Sequence, residues 1–286
     1  MIRYITEDGS AFLHVVDSTN IVRKMREFHH TSATASAALG RTLTVASLMG
    51  AGLMKDGNSL TLQIRGNGPI GNIVAVSDWC GNVRGYCDYP QTDLPENKLG
   101  KLDVGGAVGT EGTLYVIKDL GMDRPYVGQV PLKTGEIAED IVEYYATSEQ
   151  IPTVCALGVM VDKDLSIRSA GGFLLQLLPG AREAVIDRIE KNIATLPNIS
   201  AMLDQGSTPE TIAAMVFEGI EFNELDRFAV EYRCTCCRER MEQVLISLGN
   251  EELNRLADEQ ETTEIVCHFC GTKYLFSADE MRGLIT

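Results

Sequence analysis

Five of the eight cysteines fall between residues 234 and 286: Cys234, Cys236 and Cys237 in EYRCTCCRER, and Cys267 and Cys270 in IVCHFCGTKY. Thiolates bind soft metals, exchange disulfides or act as nucleophiles. The spacing favours the first. A C-x-C and a C-x-x-C, separated by residues 237–266, can each supply one edge of a tetrahedron. Cys234, Cys236, Cys267 and Cys270 are therefore expected to ligate one zinc ion. The second pair reads as strand, knuckle with Gly271, strand, the usual setting of a metal knuckle. A thioredoxin-like redox pair at Cys267 and Cys270 would open a helix after a strand in a βαβ context, and this one does not. Four unligated thiols are the remaining alternative.

The first pair is unusual, because structural zinc sites mostly space their cysteines by two to four residues. Alternate residues of an extended strand point to opposite faces, so the backbone must bend here. Once bent, the two sulfurs could also reach each other, and the same could hold for Cys267 and Cys270. Two states are thus open: four thiolates on zinc, or two local disulfides. The first ties segments thirty residues apart; the second ties almost nothing together. Arg233, Arg238 and Arg240 add positive field nearby, although arginine clusters are usually a solvated face. Cys80, Cys87 and Cys155 lie in strand-like segments and read as small apolar residues. His29 and His30 end a helix, and His268 reads as a solvent-facing spacer inside the knuckle.

The elements that must carry these residues can be read in order. IRYITEDGSAFLHVVDS is a hairpin turning at Asp8-Gly9. Ile21, Val22, Met25 and Phe28 make a helical stripe, with Ser18, Thr19 and Asn20 as cap candidates. Ser32 to Met54, rich in small residues, predicts a long buried helix. Residues 59–90 alternate as a β-meander. Gly66, Gly68 and Gly71 form a G-x-G-x-x-G, but a strand-like segment follows where a dinucleotide site needs a helix, so it reads as a turn. GTLYVIKDLG and YVGQVPLK are further strands. A helix carries Ile137, Ile141 and Tyr144 on one stripe, and a hairpin turns around residues 162–164. Short helices follow, Ser207 or Thr208 capping the one that opens with Pro209. The insert between the cysteine pairs is helical by pattern. The expected class is α+β: an N-terminal α/β-mixed core domain (1–180), a helical connector (181–230) and a small C-terminal zinc-binding domain (231–286).

The chain has 286 residues and a net charge of -15, which repels phosphate backbones. Residues 231–286 alone carry 11 Asp or Glu against 6 Lys or Arg, so a nucleic-acid-binding zinc ribbon is disfavoured. MIRYITEDGS does not read as a signal peptide, and LTVASLMGAGLM is too short to span a bilayer. The expectation is a cytoplasmic protein with no membrane partner, where clustered cysteines point to metal or redox chemistry. A thiol–disulfide enzyme would turn over a small disulfide. The N-terminal region offers no convincing nucleophile–base pair or phosphate loop, so no enzyme is expected.

YRCTCCRER followed by IVCHFCGTKYLF resembles the redox-regulated heat-shock holdase family, the thirty-three-kilodalton chaperonins. So do TNIVRKMREFHHTSATASAALGRTL, LQIRGNGPIGNIVAVSD, NVRGY, DLGMDRPYVGQVPLKTGEIAEDI, SEQIPTVCALGV and GGFLLQLLPGA, which extend the resemblance over essentially the whole chain. The resemblance implies a cytoplasmic, ATP-independent stress-response chaperone with no catalytic residues, inactive while reduced and zinc-bound. It implies Cys234, Cys236, Cys267 and Cys270 as zinc ligands. It further implies that oxidation forms Cys234–Cys236 and Cys267–Cys270, releases zinc and loosens the switch domain and connector. Unfolding client proteins then bind, and the active form is a homodimer. The connector stripe Val185, Ile186, Ile189, Ile193 and Leu196 could bind apolar client segments once uncovered. Cys237 departs from the family pattern; it reads as a bystander, and the other readings are that it competes for zinc or traps Cys236 in an alternative disulfide. The alternative to a switch is a zinc-ribbon module whose zinc is purely structural.

Overall fold

The computed structural model describes residues 1–53, 55–98 and 100–285. The chain divides into two compact units, Met1–Tyr232 and Arg233–Thr286.

The first unit opens with the hairpin β1 (Ile2–Thr6) and β2 (Ala11–Asp17), turned at Gly9 with φ 70°. Helix α1 (Thr19–His29) buries Ile21, Val22 and Met25. Helix α2 (Ala33–Ala51) is capped by Ser32, whose side chain accepts from the Ala35 N–H. Met54, to which the expected helix extended, lies outside the described residues. Next come β3 (Ser59–Gly66), β4 (Asn72–Asp78), β5 (Val83–Cys87), the short α3 (Val104–Val108), β6 (Gly112–Asp119) and β7 (Tyr126–Pro131). Helix α4 (Ala138–Tyr144) ends in a π-helical turn, Tyr145–Glu149. The hairpin β8 (Thr153–Val161) and β9 (Ile167–Leu177) precedes α5 (Glu183–Ala194), α6 (Ile199–Asp204), α7 (Pro209–Val216) and β10 (Phe222–Arg227).

These strands form two five-stranded sheets, in the orders β10-β1-β2-β9-β8 and β5-β4-β3-β6-β7. Helix α2 packs on strands of both. That explains its composition: small side chains let two sheets approach one helix, and nearly every position is buried. Its hydroxyls are satisfied locally, Thr42 donating to Ala38 O and Thr44 to Gly40 O. The glycine pattern is indeed a turn, with β4 after it. A side chain at Gly68 would stand 2.2 Å from Ala107 O, so only glycine fits.

Helices α5, α6 and α7 build a second core with strands of the first sheet. Val185 and Ile189 are buried there, and Ile193 and Leu196 pack against it half-buried. Thr208 caps α7 with Pro209 in the first turn. Residues 181–227 thus fold within the first unit, and β10 completes its sheet by pairing with β1. The sequence reading assigned no element to β10 or α3.

The second unit holds α8 (Arg238–Ser247), α9 (Asn250–Glu259), the hairpin β11 (Thr262–Val266) and β12 (Lys273–Ser277), and α10 (Ala278–Gly283). The insert is helical as expected and forms two helices, broken at Gly249 with φ 88°. The buried apolar core of this unit is Leu245, Leu253, Ala257, Phe276 and Met281. The mixed α+β class is as expected. Among the described residues, no helix is long and apolar enough to cross a membrane.

Candidate metal centre

Cys234 and Cys236 lie on irregular backbone just before α8. No strand forms there, so the alternation that would separate their side chains is absent. Cys267 and Cys270 occupy the turn between β11 and β12. Ladder pairing ends at Val266 opposite Lys273. The Cys267 N–H then donates to Thr272 O at 2.9 Å and the Gly271 N–H to Cys267 O at 2.8 Å. Gly271, at φ 69°, supplies the left-handed residue that the knuckle needs.

The two segments converge. The Sγ atoms of Cys234, Cys236, Cys267 and Cys270 all lie within 4.8 Å of one another. Cys234 Sγ is 3.7 Å from Cys267 Sγ, and Cys236 Sγ is 3.4 Å from Cys270 Sγ. A tetrahedron with metal–sulfur bonds of about 2.3 Å has sulfur–sulfur edges of roughly 3.8 Å. The cluster is therefore close to the size that one zinc ion needs, and all four cysteines are free thiols. Cys267 is buried and the other three are half-buried.

The surroundings suit negative sulfur. The Phe269 and Cys270 N–H groups approach the Cys267 sulfur, and the Cys236 N–H approaches that of Cys234. Thr272 offers Cys270 its N–H and its hydroxyl, the latter at 3.1 Å. The Tyr274 hydroxyl donates to Cys236 Sγ at 3.2 Å. Without a cation, burial pushes the Cys234 and Cys267 thiols up. Burial also opposes ionisation of Cys270, but the hydrogen bonds from Thr272 and its neighbours outweigh it and hold that thiol at about 7. A divalent cation would favour the thiolate at all four positions. The donor set and its size fit zinc. Bound there, the ion would supply four bonds tying the segment before α8 to the β11–β12 turn.

Other residues singled out from the sequence lie elsewhere. Cys237 is exposed at the N-terminal cap of α8 and is not in the cluster. Arg238 packs over the Phe276 ring, 4.2 Å from its centroid, and donates to Leu275 O and Glu280. Arg240 donates to Thr235. His268 is exposed and His29 closes α1. Cys87 ends β5 and Cys155 lies on β8, their thiols pushed up to about 12 by burial. Cys80 corrects the sequence reading: it sits in the β4–β5 turn, its N–H on Asp78 Oδ1 at 2.9 Å, because Asp78 folds the chain back there. Tyr274 and Thr272 were not singled out as part of the site.

The whole chain can be compared with known proteins. The family described as "Hsp33 protein" matches residues 1–277. The "33 kDa chaperonin" of Clostridium beijerinckii is 45% identical over 285 residues, covering 100% of this chain and 97% of that protein. Its counterpart in Alkaliphilus metalliredigens is 44% identical, covering 100% of this chain and 98% of the relative. The crystal structure of the 33 kDa chaperonin from Thermotoga maritima superposes with a TM-score of 0.88 at 38% identity, over 99% of this chain and 97% of that one. With its two-sheet first unit, its four-sulfur cluster and matches of this extent, the chain belongs to the Hsp33 family, a family of chaperones rather than of enzymes.

Proposed function

We propose that this protein is a redox-regulated, ATP-independent holdase that captures unfolding proteins under oxidative stress. Cys234, Cys236, Cys267 and Cys270 hold zinc in the resting state. Oxidation joins Cys234 to Cys236 and Cys267 to Cys270. Each disulfide forms from two thiolates that lose two electrons; one hydrogen peroxide and two protons take them up and become two waters. The thiolates are then no longer available as ligands and zinc is lost. The oxidised protein acts as a homodimer in the cytoplasm, binding neither nucleic acid nor membrane.

The observation that carries this reading is the convergence of two distant cysteine pairs in a unit whose small apolar core is built on Leu245, Leu253, Ala257, Phe276 and Met281. Structural zinc contributes on the order of 10–16 kcal/mol of apparent binding energy. A core this small rarely supplies more than about 3–5 kcal/mol. Local disulfides do not replace a link between residues 234–236 and 267–270, so oxidation unfolds the C-terminal domain (231–286). It then loosens the connector (181–230) on the core domain (1–180), and the half-buried Ile193 and Leu196 become available to clients.

The test is light scattering of a thermally unfolding client. The protein is added either reduced and zinc-loaded, or after peroxide at a temperature that loosens the connector. Suppression by the oxidised sample alone, with zinc release, is expected. Equal behaviour of the two samples would mean a zinc-ribbon module whose zinc is only structural.

A further inference from the structure

β5 is the terminal strand of the second sheet, so one of its edges has no strand beside it. Such an edge exposes backbone donors and acceptors that another chain can pair with. Here it is covered by two residues. Val83 N–H donates to Glu231 O at 3.0 Å, and Val83 forms a parallel bridge with Tyr232. The Glu231 N–H donates to Asn82 Oδ1 at 3.2 Å. Asn82 is itself fixed, its amide Nδ2 donating to Asp78 Oδ2 at 2.9 Å. Two residues along the edge, the Tyr232 hydroxyl donates to Gly85 O at 2.9 Å and accepts from the Gly85 N–H at 3.2 Å. One phenol thereby takes the place of a strand's peptide group. Its ring packs beside Phe28 with centroids 5.3 Å apart, and His29 Nε2 lies 3.3 Å from the hydroxyl. Tyr232 is 9% exposed.

This is the geometry of strand addition with an aromatic socket. Main-chain pairing at a sheet edge is blind to sequence, while an aromatic anchor adds affinity. Native proteins bury their aromatic side chains and use their strand edges; unfolding ones offer both. Tyr232 stands two residues before Cys234, so a single residue, Arg233, separates the anchor from the first proposed metal ligand. We propose that the β5 edge is a docking site for an extended, aromatic-bearing segment of a non-native polypeptide. Glu231 and Tyr232 occupy it as an internal stand-in until the residues after them lose their fold. The trigger rests on the redox-holdase reading; the docking chemistry does not.

The full-length reduced Tyr232→Ala protein empties the socket without oxidation. The acetylated pentapeptide of residues 229–233 should bind it at least ten-fold more tightly than it binds the reduced natural protein. Binding should restore hydrogen-exchange protection at the Val83 and Gly85 amides, and a peptide with Ala in place of Tyr should bind at least ten-fold more weakly. Equal binding to both proteins, or binding that leaves Val83 and Gly85 unprotected, would overturn the proposal. If Tyr232→Ala does not fold, Tyr232→Phe keeps the ring and loses the hydroxyl. The Gly85 amide should then exchange at least ten-fold faster, and an unchanged rate would overturn the proposal. Last, the oxidised natural protein is loaded with a carboxymethylated, permanently unfolded protein. Protection at Val83 and Gly85 lost on oxidation and regained on loading supports the site. A client held with those amides unprotected overturns it and leaves the holdase function standing. A client not held, with the pentapeptide still bound by Tyr232→Ala, overturns the holdase reading and supports the site.

Discussion

At the scale of residues, the four clustered sulfurs are not equivalent to the fifth beside them. Cys267 is buried among backbone N–H groups in the knuckle, whereas Cys237 is exposed outside the cluster. Cys267→Ser should therefore abolish stoichiometric zinc binding, measured by metal analysis after gel filtration. Cys237→Ser should keep one zinc per chain and shift stability by no more than about 0.5 kcal/mol, as surface substitutions do. Loss of zinc from Cys237→Ser would make Cys237 a ligand. Tyr274 supports the site from outside, through its hydroxyl on Cys236 Sγ. Groups placed like this typically change metal affinity by about 10–100-fold, and Tyr274→Phe should weaken zinc binding by that much in competition with a chelator. An unchanged affinity would reduce that contact to packing. The clustering of these four sulfurs was legible in the sequence because C-x-C and C-x-x-C spacing is itself geometric information. Tyr274 and Thr272 were not, because their reach depends on the β11–β12 register, which sets Tyr274 opposite Ile265.

At the scale of elements, His14 on β2 reads the packing of α2. Its Nδ1–H donates to Leu48 O at 2.9 Å, which puts the lone pair of the neutral ring on Nε2. Nε2 is buried with no hydrogen-bond partner among the described residues. Burial, with Arg3 nearby, lowers this histidine from 6.5 to about 4, against the Leu48 hydrogen bond and Asp226. The unfolded chain thus binds the proton more tightly. The stabilisation is complete above pH 6.5 and is lost as pH falls toward 4, about 3 kcal/mol in all. Urea unfolding of the first unit at pH 7 and 4.5 should show most of that loss, and His14→Gln should flatten the slope. An unchanged slope in the variant would assign the acid sensitivity to other groups. Legibility at this scale followed hydrophobic pattern. The alternating strands and the small-residue helix α2 were readable. Strand β10, mostly exposed along FNELDR, has no apolar alternation to read and exists through its pairing with β1. The start of α4 was hidden for another reason. Ile137 does not continue the helical stripe but adopts φ 73°, held by its N–H on Asp140 Oδ2 at 3.1 Å. Asp140 Oδ1 also accepts from Lys133 and Thr134, an arrangement that no periodicity announces.

At the scale of the whole molecule, the two units have very different means of staying folded. The first has two sheets around a buried helix and a second core under α5–α7. The second has one small apolar cluster, around Leu253 and Phe276, and a four-sulfur cluster. In the proposed mechanism the thiolate–metal link is what keeps residues 233–286 folded, and its oxidation turns the chaperone on. The most direct measurement follows three quantities in one peroxide titration of the full chain: zinc released, hydrogen exchange across residues 233–286, and capture of an unfolding client. All three should rise together, while the β3, β4 and β6 amides stay protected. Client capture with residues 233–286 still protected, or complete zinc release without capture, would contradict that mechanism.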